Sequence, residues 1–389
     1  MSLVNLYGES ALFFPFQPDA PLTEVLEWKT DVINSHDGTE HRYRVRNAPR
    51  QSFSFSVPIP PRLTQLANNV AYAGPGTPVW AVPVWTEAQR LPNVAGTDAA
   101  LPAETASRDF RDGGWAMLWE SPEKWRAVRI AGQTANELTL DAPVGIAFTA
   151  PWLFPVNVGR LGDDVNRSTD GFQTRANFRL ITSNNYVIDP PAPDQFLGHD
   201  IYFDETFMSG TAIDEKIETQ VDIIDFDTGP VAQFAPWKHH RRSRPYRRIM
   251  EGAAEVWAFR EWLHRRAGKF RPFWLPTFEH DLYLDMAPGP VGDSLLFRVD
   301  EYTTLAPERT HVAIQTRDGS WHPRTIAGVT GAGAFRAARL DRELVNVDSD
   351  DIVRVSFLGL HRLDTDRAEL RWIGGGVCVS EVTVLELSP

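Results

Sequence analysis

One pattern occurs twice in this chain, and that repeat constrains the fold more than any motif. Glu27-Trp28-Lys29-Thr30-Asp31-Val32-Ile33 leads to Asp37-Gly38, and Glu218-Thr219-Gln220-Val221-Asp222-Ile223-Ile224 leads to Asp227-Thr228-Gly229. Both run from a polar start through alternating branched residues into a glycine turn, 191 positions apart (218 − 27; 229 − 38). Self-similarity at such a distance marks a duplicated structural unit. A duplicated unit suits a symmetric building part better than a catalyst, which needs one asymmetric site.

Later landmarks keep the same order. Leu63, Leu66 and Val70 follow Pro60-Pro61 and end at Gly74 and Gly76; Val256, Phe259 and Leu263 share the i, i+3, i+7 spacing and end at Gly268, an offset of 193 (256 − 63). That spacing sets three apolar side chains on one helical face, and the glycine is a C-terminal stop. Val79–Trp85 and Pro272–Phe278 are the aromatic-proline strands that follow, with Pro83 and Pro276 again 193 apart. Leu138–Asp141 matches Ala338–Asp341 at 200, and Arg160-Leu161 with Asp163 matches Arg362-Leu363-Asp364 at about 202. Final strands are expected from Gln173 to Ile181 and from Val377 to Leu387. The drift in offset is what loop insertions produce, since surface loops absorb extra residues at small cost.

The reading is a mainly β protein with some α+β character: two tandem homologous barrel- or sandwich-like units, each with one short helix, at 62–73 and 251–266. Strict alternation at Phe53–Val57, Trp125–Ile130 and Val377–Leu387 supports the strands. The boundaries are an N-terminal arm at 1–19, a first unit at 20–182, a connector at 183–214 and a second unit at 215–389. Asp189-Pro190-Pro191-Ala192-Pro193-Asp194 makes the connector extended and stiff. Phe13-Phe14-Pro15-Phe16 in the arm is the expected counterpart of Ile201-Tyr202-Phe203, packing on its own domain or docking on a neighbour.

Composition excludes several chemistries. A net charge of −12 argues against wholesale nucleic-acid binding. The one cysteine, Cys378, removes any disulfide framework or multi-cysteine metal site, and in Val377-Cys378-Val379 it reads as a buried small hydrophobe. No apolar run is long enough for a membrane span, and Met1-Ser2-Leu3-Val4-Asn5 lacks the pattern of a secretory signal. His264, His280 and Glu279 match no strong metal spacing. The carboxylate pairs Asp163-Asp164 and Asp364/Asp366 sit at turns, where acids form turns more often than they catalyse. Gly374-Gly375-Gly376 precedes a strand, so it is no phosphate loop, and no nucleophile elbow, zincin or Walker sequence occurs. No catalytic, metal or cofactor-binding residue is assigned, and no cofactor is expected.

The strongest local signal is basic. Lys238, Arg241, Arg242, Arg244, Arg247 and Arg248 crowd one segment, and Arg42, Arg44 and Arg46 alternate along its counterpart. In an acidic protein such a face meets an acidic surface of a partner copy, or is solvated, or touches DNA weakly if it lines a channel. These nine residues are the candidate partner contacts.

Gly268-Lys269-Phe270-Arg271-Pro272-Phe273-Trp274-Leu275-Pro276-Thr277-Phe278, after its helix, resembles the helix–glycine–aromatic strand of minor tail proteins from long-tailed bacteriophages and gene transfer agents. The segment Glu27 to Arg50 is similar to openings of prophage tail proteins. The resemblance implies a β-barrel component of a distal tail or baseplate hub in the virion tail tip, made in the bacterial host cytoplasm. It also implies a homo-oligomeric ring contacting tube, tape-measure and tip or fibre proteins. The single cysteine departs from hub relatives that hold an iron–sulfur cluster, and the resemblance supplies no catalytic residue. Three copies of a two-unit chain would give pseudo-sixfold symmetry with a threefold assembly; six copies is the competing arrangement. The 13 Trp in β-rich units raise a rival, a carbohydrate-binding or carbohydrate-cleaving protein with exposed coplanar rings. The tail reading instead places Trp80, Trp85, Trp274 and Phe278 in cores or subunit contacts.

Overall fold

The computed structural model describes residues 3–74, 78–170, 173–206, 212–237, 240–298, 308–331, 334–374 and 376–387. Leu3–Leu6 (β1) and Glu9–Phe13 (β2) form a hairpin whose turn residues, Tyr7 and Gly8, both take positive φ, 52° and 82°. Such two-residue turns match the twist of paired strands. Then come Asp19–Glu27 (β3), a hairpin of Thr30–Asn34 (β4) and Glu40–Arg44 (β5), Arg50–Ile59 (β6), helix Thr64–Ala73 (α1) and Trp80–Pro83 (β7). Gln89–Arg90 (β8), Ala100–Pro102 (β9), Trp115–Ser121 (β10), Lys124–Thr134 (β11) and Glu137–Leu140 (β12) precede Trp152–Leu161 (β13), Asn166–Thr169 (β14) and Thr174–Thr182 (β15).

The second half opens with another hairpin, Gln195–Phe196 (β16) and His199–Ile201 (β17), turning through Leu197 and Gly198 at φ 47° and 79°. Lys216–Glu218 (β18), Asp222–Ile224 (β19), Ala232–Phe234 (β20), Arg241–Glu251 (β21), helix Gly252–Arg266 (α2) and Phe273–Pro276 (β22) follow. Pro290–Arg298 (β23), His311–Thr316 (β24), Trp321–Thr330 (β25), Phe335–Asp348 (β26), Ile352–Leu363 (β27), Arg367–Gly374 (β28) and Val377–Leu387 (β29) complete a mainly β chain.

Strand pairing in the second half follows the order of the first. β2 runs parallel to β7 as β17 does to β22; β6 pairs β15 as β21 pairs β29; β13 joins β7 and β15 as β27 joins β22 and β29. The registers carry the same offsets as the sequence. Glu27 faces Arg50 and Glu218 faces Arg241, both shifted by 191 (218 − 27; 241 − 50). Ala81 faces Val158 and Trp274 faces Leu360, shifted by 193 and 202 (274 − 81; 360 − 158).

Among the described residues three buried cores centre on each half, and the one beneath α2 also takes Leu26 and Trp28 from the first half. In the first, Phe14, Phe16, Phe53, Phe55, Trp80 and Phe178 pack beneath α1, whose Ala67 and Val70 face them; Phe14 meets Phe178 edge-on at 5.1 Å. Such ring pairs contribute beyond their buried area. In the second, Tyr246, Phe273 and Leu275 pack against Val256, Phe259 and Leu263 of α2. The second apolar stripe is therefore the inner face of α2; of the first, Val70 is buried, Leu66 is half-buried, and Leu63 packs on the same core from the turn just before α1. Phe14 and Phe16 lie in their own half's core.

Two features differ from the sequence reading. Residues 195–201 form a hairpin joined to β22, so the proposed connector supplies structure to the second half; its aromatic Phe196 and Ile201 pack against Trp274. Each half also closes a separate core in its middle, around Leu101, Leu118 and Leu153 and around Leu295, Ile314 and Val355. Hydrophobic alternation marks strands but does not say which cores they share.

Candidate functional site at the seam between the halves

The halves join by strand pairing. β28 lies antiparallel to β3 from Arg367–Glu27 to Trp372–Leu22. This makes one antiparallel sheet in the order β14, β15, β6, β3, β28, β29, β21, β18. Asp366 fastens the entry to β28: its carboxylate accepts from the Thr30 N–H at 2.7 Å and the Lys269 N–H at 2.9 Å, and its carbonyl accepts from the Trp28 N–H at 2.8 Å.

Behind the seam lies a buried ion triad. Arg260 of α2 donates to Glu24 of β3 at 2.7 Å and to Glu87, with exposures of 2%, 0% and 4%. Gln51 Nε2 donates to Glu24 at 2.8 Å, and Asn157 and Asn184 extend the network. Burial, reinforced by the nearby Asp109, pushes the Glu87 carboxyl up to about 7, although Arg260 opposes it. Burial works against the Arg260 charge, but the two carboxylates hold it firmly protonated.

A second ion cluster lies under the β4–β5 hairpin. Arg362 grips Glu40 with both nitrogens, at 2.8 and 3.0 Å, and Arg241 approaches Glu40 at 3.4 Å while donating to the Gly38 carbonyl. Burial opposes ionisation of Glu40, yet these arginines keep its pKa below the ordinary value. The Trp237 ring covers Gly38, where a β-carbon would stand 3.2 Å from it, and stacks on Arg241 at 4.5 Å.

The candidate partner contacts are mostly engaged within the chain. Arg242 binds Glu215 at 2.8 Å and Glu279 at 2.7 Å; Arg244 donates to the Thr277 and Pro276 carbonyls at 3.1 and 2.8 Å; Arg247 pairs with Glu381 and Arg248 with Asp204. Arg44 and Arg46 donate to backbone carbonyls, of Arg46 and Asn47 and of Glu27 respectively. Arg42 is half-buried, its pKa lowered by burial, and its Nη1 has no hydrogen-bond partner among the described residues. Lys238 lies outside the described residues.

The other weighed sets disperse. His264 accepts from the Ile188 N–H at 3.3 Å, Glu279 binds Arg242, and His280 stacks on Tyr283. Among the described residues no group of three or more His, Cys, Asp or Glu is arranged to hold a metal. Cys378 is buried and its thiol is pushed up to about 12 by burial. Each of the 13 Trp is buried or half-buried; Trp80 and Trp274 are at 0% and 2%, and Trp85 stands edge-on to Trp119 at 5.3 Å. No helix among the described residues is long and apolar enough to cross a membrane.

Sequence reading missed Glu24, Glu87, Arg260 and Glu40; Arg362 entered only as a landmark of the repeat and Asp366 only as a turn carboxylate. Two signals were present: Arg260 interrupts the apolar stripe Val256–Leu263, and Glu24 sits between Leu22 and Leu26 on a strand's inner face. No model of a known protein family matches the chain, and no curated protein matches it.

Proposed function

We propose that this chain is a structural ring subunit of a bacteriophage tail tip or baseplate, of distal-tail or hub type, that joins a tail tube to tip or receptor-binding parts. The observation that carries the reading is the eight-strand sheet: four strands of one half are followed by four of the other in matching register. A sheet built from two like four-stranded parts, fused by backbone pairing, suits a subunit that repeats around an axis. The two halves are then descendants of one copied unit. Three copies present six similar units to a sixfold tube; six copies is the other closure.

The seam supports a mechanical role over a catalytic one. Glu24, Glu87 and Glu40 are buried and matched to arginine, and Asp366 is matched to backbone N–H groups, which fits a joint. The sheet's open face carries Arg175, Asn177, Arg371 and Glu381, exposed and of mixed charge. Facing the axis, that surface would be wet and only weakly attractive to DNA phosphates. Tube, tape-measure and fibre proteins are the proposed neighbours above and below the ring.

Negative-stain imaging of the purified full chain, with native mass measurement, tests the reading. Closed rings of three or six copies are expected. A stable monomer at high concentration that also fails to bind any purified tube protein would overturn it.

A further inference from the structure

The sheet ends on two strands whose outer edges pair with nothing among the described residues, β14 and β18. Unpaired edges are templates for another strand. The chain itself shows what fits them, because β28 and β3 occupy the same places at the seam. β14 pairs β15 as β28 pairs β29, and β18 pairs β21 as β3 pairs β6.

We infer that β14 of one copy pairs antiparallel with β18 of the next, reproducing between chains the β28–β3 seam made within each chain. This deepens the ring reading, on which it rests for a second copy as the occupant. Transferring the seam by the observed registers sets Val165 opposite Ile217, Asn166 opposite Lys216, and Arg167 opposite Glu215.

The side chains match that placement. Ile217 occupies the position of Leu26, yet it is 68% exposed where Leu26, covered by Ala368, is 2% exposed. β14 is exposed along its whole length. Glu215 stands where Glu24 stands. Glu24 takes its arginine from α2, at Arg260; the equivalent place on α1 is Ala67, which carries no charge. Glu215 is held in its own chain by Arg242 and Arg244, and Arg167 of β14, which reaches Asn68 on α1, adds a further cation opposite it across the joint. Beyond β18, the β19–β20 hairpin exposes Ile223, Phe226 and Phe234. The β4–β5 hairpin, its counterpart, is covered at Gly38 and Glu40 by the other half. One pair is mismatched: Asp164 falls opposite Glu218, where the seam has Arg367 opposite Glu27.

Engineered cysteines test the register in the full-length chain. Directly opposed strand residues bring their β-carbons within disulfide range, and Cys378 is buried. The N166C/K216C variant should form chain-to-chain ladders on mild oxidation, and N166C/E218C should not. V25C/E369C, the same pair inside the chain, is the positive control and should bridge within one chain. Ile217→Asp, an exposed substitution that leaves folding intact, should weaken self-association by at least about tenfold, because it would bury an unpaired charge. Asp164→Arg should strengthen it by restoring the Arg–Glu pair, a gain that misfolding cannot imitate. Ladders from N166C/K216C support the joint even where images show open chains, in which case the closed-ring reading alone fails. Rings without that bridge, or self-association indifferent to Ile217→Asp and Asp164→Arg, overturn the joint and leave the ring reading standing. A chain that remains monomeric and unbridged overturns it as well.

Discussion

Replacing Arg260 by Met asks how much the seam depends on its ion triad. Met keeps the length and the apolar stem of the side chain while removing the guanidinium. Glu24 and Glu87 are then left buried, each with one remaining donor: Gln51 Nε2 at 2.8 Å and the Asp109 N–H respectively. Removing one partner of a buried ion pair costs about 3–5 kcal/mol, because the other charge stays desolvated. The orphaned acids can lower that cost by binding protons, so the loss depends on pH. In the native chain Glu87 already titrates at about 7. A carboxyl raised above its unfolded value weakens the fold above that pKa, and the deficit disappears as pH falls toward the ordinary value. Arg260→Met pushes the same titration higher and deepens the alkaline deficit. Urea unfolding followed by tryptophan fluorescence should show a loss of about 3–5 kcal/mol at pH 8 and at most half of that at pH 5.5. Adding Glu24→Gln and Glu87→Gln should recover more than half of the loss, a non-additivity expected of groups in one network. A variant as stable as the native chain at pH 8, or a loss equal at both pH values, would refute the reasoning.

Gly268→Ala should disturb the same seam from another side. Gly268 has φ +68°, and a β-carbon there would meet the Asp366 carboxylate that caps Thr30 and Lys269. A loss of about 2–4 kcal/mol is expected from strain and the freed amides, with faster hydrogen exchange at Thr30 and Lys269; unchanged exchange at both would contradict it. Burial holds His264 and His361 neutral, each with its pKa lowered to about 3. Because the unfolded chain binds those protons more tightly, stability from both is present above about 6.5 and is lost as pH falls toward 3. His361→Gln should therefore flatten acid unfolding across that window, measured by near-UV dichroism; an unchanged slope would sink the assignment.

Much of the fold was legible because it follows from short-range rules. Three apolar residues at helical spacing fix α1 and α2, since only one helical face can carry them inward. The matching registers of the two halves were visible as sequence offsets because the spacing between paired strands is fixed where both are packed. The hairpin at 195–201 was hidden in a proline-rich stretch, since two-residue strands are too short to show alternation. The internal partners of the basic segment were not legible for a related reason. Its arginines read as one charged face, but the carboxylates and carbonyls that Arg242, Arg244 and Arg241 meet lie 27, 33 and 203 positions away.

By itself, then, the order of residues determined that two like β-rich stretches, each with one helix, would form, because periodicity and turn chemistry act within a few residues. Only the folded chain decided that β28 of one half would seal the edge of β3 in the other, leaving the outer edges of β14 and β18 unpaired among the described residues. That choice depends on long-range burial: Arg260, Glu24 and Glu87 are costly to desolvate separately and tolerable only when the seam brings them together.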